Sequence, residues 1–322
     1  MSVSRRLAVV LVLTLAATSV FAAGDAMSLI PADAVSVGVV RVADLRSSPL
    51  SSTLFRHADR FGSNGEAEQF LTDAGLDLAK DIDVLVIATA PTTRLGSEAE
   101  VVVLADGRFD VSRLEAALAG RGAVSKTSRY GNYFALPEHH EGKSGAVAFA
   151  GSSLAIAGSE AAVLKALEAR RNGGAGFAQS LLGHDLGRLD TSASAWALVD
   201  VTRASRLTGG TARLQSRGQH GQAMSAAIRN ISTVGLWATD TGDALKLGAF
   251  GLTSDSETLQ LVEDTLRGAL SALRLSVKDK SPEMVSVLRR FDVQRSNDAV
   301  RISGTIPGDS IRKLIAEKRA QK

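Results

Sequence analysis

The sequence predicts an α+β protein made of two related halves, each a mainly antiparallel sheet with helices packed on it, as after an internal duplication. Three observations lead there. β-rich runs and amphipathic helical stretches follow one another in the same order twice along the chain. The strands are short and several are joined by Gly or Asn-Asp turns, which favours antiparallel pairing over a doubly wound parallel sheet. The chain has no cysteine, so each core must hold without disulfides, and thiolate nucleophiles and thiolate metal sites are excluded together.

The first element is expected to be removed. Arg5 and Arg6 precede an apolar run at 7–17, and small residues at Ala22 and Ala23 offer a cleavage site. That is the three-part pattern of a secretory signal peptide over residues 1–22. The run is shorter than the ~20 residues a spanning helix needs. A lipoprotein would need a cysteine after it, so that route is closed. Twin-arginine export is disfavoured because Ala8 and Val9 follow the arginine pair. The mature product is expected to be exported without a transmembrane segment, to the periplasm in a Gram-negative cell and otherwise outside.

The first repeat covers 27–171. A Val-rich strand at 35–42 leads into Asp44 and a helical stretch to about residue 60. Strands follow at 82–89 and 99–104, a helix at 111–118, a strand at 133–136, then a strand at 153–159 and a helix at 160–171. Residues 172–183 open with Asn172-Gly173-Gly174 and are expected to be a flexible linker. The second repeat, 184–322, follows the same plan. A strand at 195–201 runs into Thr202 as a helix cap, and strands follow at 231–239 and 244–250. Leu259, Val262, Leu266 and Leu270 make one apolar stripe on a helix at 256–273. A strand at 299–305 and a helix at 308–319 close the chain.

Charge excludes one class of partner. Of 37 Lys and Arg, two lie in the leader, which leaves 35 against 34 acidic residues, so no nucleic-acid partner is expected. The halves differ in sign, with −3 over 27–176 and +5 over 177–322, so they could attract each other or an anionic surface. Residues 201–239 hold no acid and carry Arg203, Arg206, Arg213 and Arg217, a candidate anion-binding set.

Catalytic and cofactor motifs are missing. There is no Gly-x-Ser-x-Gly elbow and no His-Glu-x-x-His helix. Gly142-Lys143-Ser144 lacks the upstream glycine of a phosphate loop, where Pro137 stands instead. No cofactor is expected. Glu138, His139, His140 and Glu141 are adjacent potential metal ligands, but neighbours on a turn point in different directions and no partner at helical spacing completes a site. The pairs Asp73 with Asp77 and Asp81 with Asp83 could serve acid–base chemistry, although a solvated surface accounts for them. Aromatics are 4% of the chain, which argues against stacking platforms, and Trp196 and Trp237 are expected in the core.

Leu29-Ile30-Pro31-Ala32-Asp33-Ala34, the Val-rich strand after it and Asp44-Leu45-Arg46-Ser47-Ser48-Pro49-Leu50 resemble a loose group of exported bacterial proteins of unknown function. The resemblance implies a signal peptide and two related α+β halves, and carries no catalytic residue with it. Three functional classes follow. The first is a non-catalytic periplasmic binding or interaction protein with an envelope partner. The second is a carrier of a lipid or other apolar ligand, and the third a hydrolase with no recognisable motif.

Overall fold

In the computed structural model the described residues are 26–51, 72–92, 99–137, 144–174, 176–207, 230–278 and 281–313. Among them, twelve strands pair into one antiparallel sheet of order β11-β12-β10-β9-β8-β1-β2-β3-β7-β6-β5-β4. The first seven are β1 Ser36–Arg41, β2 Ile82–Ala90, β3 Glu100–Gly107, β4 Val124–Ser128, β5 Gly131–Ala135, β6 Gly145–Phe149 and β7 Leu154–Ser159. The other five are β8 Ala195–Asp200, β9 Thr233–Asp240, β10 Ala244–Leu252, β11 Asp292–Arg295 and β12 Ala299–Pro307. The fold is α+β, with a large antiparallel sheet carrying helices.

β1 and β8 are the first long strands of the two expected repeats, and they pair with each other. That ladder makes one sheet of the two halves. Outward from it the order is β1-β2-β3-β7 on one side and β8-β9-β10-β12 on the other. These are the four strand pairs that match along the sequence.

Strand alternation sends side chains to two faces. On the core face, Val37 and Val39 of β1, Val86 and Ala88 of β2, Leu104 of β3 and Leu198 of β8 are 0–1% exposed. This face is covered by residues 26–35, by helix α4 (Glu160–Arg171) through Ala162, Val163, Ala166 and Leu167, and by α5 (Leu181–His184). Each fully buried Val or Leu contributes about 1.5–3 kcal/mol.

Among the described residues, the opposite face is covered only towards its flanks. On the first-half side lie α1 (Val42–Ser47), α2 (Leu78–Asp81) and α3 (Val111–Gly120), burying Val42, Ile82, Phe109 and Leu114. After β8 comes α6 (Val201–Leu207). On the second-half side, α7 (Ser256–Val277) and α8 (Pro282–Leu288) lie by β11 and β12, with Leu259 and Val262 against Val293 and Val300. The predicted stripe on α7 is thus its packing face.

Two local expectations need correcting. The expected helical stretch breaks at Ser47, because Ser48 precedes Pro49 and is extended, at ψ 125°, and its part from residue 52 on lies outside the described residues. The turn into α6 is capped by Asp200, whose carboxylate accepts the Arg203 N–H at 2.8 Å, and not by Thr202.

Residues 172–183 are packed along most of their length. Gly173 and Gly174 take φ of +79° and +38° to close α4, and a Cβ on Gly174 would lie 2.7 Å from the Ser28 carbonyl oxygen. Phe177, 1% exposed, heads the fully buried side chains by volume, and Leu182 is equally buried. Phe177→Ala is therefore expected to cost about 3–5 kcal/mol, read from the urea midpoint. A change below about 1 kcal/mol would mean that this segment is not docked in solution.

Candidate functional site

The uncovered middle of the second face is a groove of about 550 Å³. Register builds its floor from two cross-strand rows. One runs Ile87–Gly38–Ala197–Leu236–Ala249–Ile302, and the other Leu85–Val40–Ala195–Ala238–Leu247–Gly304. Small residues, Gly38, Ala195, Ala197, Ala238 and Ala249, gather about the centre with Leu236 among them. Ile87 and Leu236 remain 42% and 49% exposed in the floor. Such exposure on central strands, beside a core face at 0–1%, marks a surface left open by the covering helices.

Three elements wall the groove. Along β12, Leu266 and Leu270 of α7 pack with Ile302, and Phe291 lies over Gly304, where a Cβ would come within 2.5 Å of the Phe291 ring. That glycine lets Phe291 lie flat at the groove end. Arg274 of α7 donates to the carbonyls of Leu288 and Phe291 at 2.9 and 3.3 Å and fixes that corner. Across the sheet, Val40 and Leu85 pass beneath the cluster around α1 and α3.

The third wall is the loop 48–51, held by Asp240 two residues beyond Ala238. The Asp240 carboxylate accepts the Ser48 hydroxyl at 2.6 Å, the Ser51 hydroxyl, and the Gly242 N–H at 2.8 Å. Ser48 and Ser51 are 7% and 6% exposed. Burial pushes the Asp240 carboxyl up, but these donors outweigh it and hold it below the ordinary carboxylate value. A latch between the two halves thus closes one side of the groove.

Every lining side chain is apolar. The groove can desolvate hydrocarbon, and it offers no acid, base or nucleophile.

The sequence-predicted sites lie elsewhere. Arg203 donates to the carbonyls of Asp33 and Ala34 at 2.7 and 3.5 Å and sits by Asp200, so its guanidinium holds the chain's own backbone. Arg206 is exposed in the last turn of α6. Arg213 and Arg217 lie outside the described residues, as do residues 1–22 and Glu138, His139, His140 and Glu141. Among the described residues no group of three or more metal-ligating side chains forms. His184 is exposed at the end of α5.

The acidic pairs have structural partners. Asp73 meets Arg121, Asp77 caps α2, Asp81 accepts the Asp77 N–H, and Asp83 meets Arg46. Trp196 is buried as expected. Trp237 is half-buried on the core face beneath Arg301, 5.2 Å from its ring. The sequence allowed a groove between the halves, or a cavity over sheets faced by Ala, Val and Leu, but did not single out its residues, because Gly38, Ala197 and Ala238 follow the alternation of an ordinary buried strand.

The fold resembles that of TP0453. Crystal form III of that protein matches with a TM-score of 0.52 over 90% of this chain and 97% of its own, at 11% identity. Crystal forms IV and I match over the same share of this chain, with TM-scores of 0.48 and identities of 11% and 9%. Identity this low makes the likeness one of fold alone. No protein-family model matches the chain, and no curated protein does. No helix among the described residues is long and apolar enough to cross a membrane.

Two outcomes are expected. Leu236→Gln should cost less than about 1 kcal/mol, whereas Leu198→Gln, on the covered face of β8, should cost more than about 3; equal costs in urea unfolding would mean the groove face is covered. A depressed carboxyl stabilises above its unfolded pKa of about 3.9 and loses that contribution as pH falls through the lower folded value. Asp240→Asn should therefore lower the urea midpoint at pH 7, by about 1–3 kcal/mol. The gap to the parent should close below about pH 4; a gap that persists there would contradict the latch.

Proposed function

We propose that this chain is an exported, non-catalytic binding protein that carries an apolar ligand in the groove. The observation that carries the reading is the groove lining: about 550 Å³, within the range of small-molecule sites, faced entirely by apolar side chains with Ile87 and Leu236 standing exposed. A surface of this kind costs free energy in water, and occupation by hydrocarbon relieves it. The absence of a titratable group from the lining favours binding over hydrolysis.

Export is part of this proposal and rests on the leader pattern at 1–22, with no second apolar run of spanning length. The mirrored strand order about β1 and β8 supports reading 27–171 and 184–322 as repeats that share one sheet.

Native mass spectrometry of the protein from its own envelope, followed by denaturing extraction, tests the reading. A reproducible extra mass, released as an apolar compound and lost in the groove-filling variant Ala197→Phe/Ala238→Phe, is expected. A bare mass in the parent protein, together with no uptake of added lipid, would overturn it.

A further inference from the structure

We infer that the groove ligand is a single extended hydrocarbon chain with an anionic head, the chain lying across the strands and the head at the Phe291 end. This rests on the reading above and names the chemistry of its ligand.

The shape of the floor argues for one chain. The two rows are two residues apart along each strand, about 7 Å, and each crosses six strands, or five spacings of about 4.8 Å. The result is a trough some 24 Å long and one hydrocarbon chain wide. One leaflet of a bilayer core is about 15 Å deep, so an acyl chain fits within the length. Gly38, Ala197, Ala195 and Ala238 keep the middle low in side-chain bulk beside the single larger Leu236, which suits a linear chain rather than a compact polycycle. A polar head finds no donor or acceptor side chain in the floor, so it must lie beyond an end.

The two ends differ in charge. At the Ile87 end the nearby acid, Asp83, is flanked by Arg46 and Arg108 at 3.0 and 3.7 Å, a satisfied cluster. At the other end, Arg289 and Arg290 immediately precede Phe291 and are exposed, Arg274 lies in the last turn of α7, and Lys278 caps its C-terminus. Of the acids nearby, Glu283 pairs with Lys313 and Glu263 with Arg267 and Arg295, while Asp292, which accepts from the neutral Gln294, is outnumbered by Arg289, Arg290, Arg274 and Lys278. The Phe291 end is thus a cationic rim beside an apolar trough. A carboxylate or a phosphate suits it equally.

Calorimetric titration of the full mature chain, with each amphiphile below its micelle concentration, tests this. The probes are hexadecanoate, lysophosphatidylglycerol, hexadecyltrimethylammonium and cholesterol. Hexadecanoate or the lysophospholipid should bind about ten-fold tighter than the cationic amphiphile at low salt. Which of the two binds tells a free fatty acid from a phospholipid source. Arg289→Gln/Arg290→Gln should abolish that preference while leaving the fold intact by circular dichroism. Through decanoate, dodecanoate and tetradecanoate, affinity should rise about four-fold per methylene.

Equal binding of the cation would overturn the anionic head and leave the groove reading standing. Cholesterol bound as tightly as hexadecanoate would overturn the extended chain, again with the groove reading intact. Binding of none of the four would overturn the groove reading itself.

Discussion

Everything else in this fold depends on the ladder between β1 and β8. Five residue pairs, from Ser36↔Val199 to Val40↔Ala195, join strands about 160 residues apart, one from each half of the chain. Without it the molecule would be two smaller sheets, each with an exposed edge where the other half now docks. With it, the central strands are shared, and their side chains answer to both halves at once. Side-chain direction has a period of two, so a one-residue slip would carry Trp196 and Leu198 out of the core and put Ala195 and Ala197 in their place. The core therefore fixes the register, and the register fixes the groove.

The two faces of this sheet are covered unequally for a geometric reason. On the core face, residues 26–35, α4 and α5 meet over the centre, and Phe177 fills the space between them. On the other face the helices stay near the flanks: α1 to α3 serve one half, and α7 with α8 serve the other. Among the described residues, joining two halves edge to edge thus leaves a strip at the seam that neither set of helices reaches. The strip is lined by Gly and Ala where β1 and β8 meet, and small side chains limit the apolar area exposed there while empty. Asp240 then matters more than an ordinary surface acid. It holds the loop 48–51 of one half against the other through hydroxyl donors, at the rim of that strip.

Much of the local structure was legible in the sequence. The strand at 82–89, the helices at 111–118 and 160–171 and the apolar stripe on 256–273 all appear within a few residues of their expected bounds, because strong alternation or 3.6-residue periodicity defines them. The sheet order was not legible. Nothing in Val37, Val39, Trp196 or Leu198 says that their strands pair with each other rather than with strands of their own halves, since long-range pairing leaves no local signature. Nor were the residues of the groove. β1, β2 and β8 carry apolar residues on both faces, so they read as strands buried twice over, and which face a helix fails to reach is a property of the assembled sheet. Phe177 makes the same point in reverse. Glycines at 173 and 174 suggested a free linker, but they turn the chain so that the next aromatic reaches the core.

The account stands or falls on where a hydrocarbon chain sits. The most direct measurement is isotope-edited NMR on the protein with methyl-labelled alanine and bound hexadecanoate. The account predicts intermolecular NOEs from the chain methylenes to Ala195, Ala197, Ala238 and Ala249, in an order that follows the strands across the sheet, and none to Ala88 or Ala148 on the covered face. A bound chain whose NOEs bypass these four methyls, or fall on the core-face alanines, would contradict it.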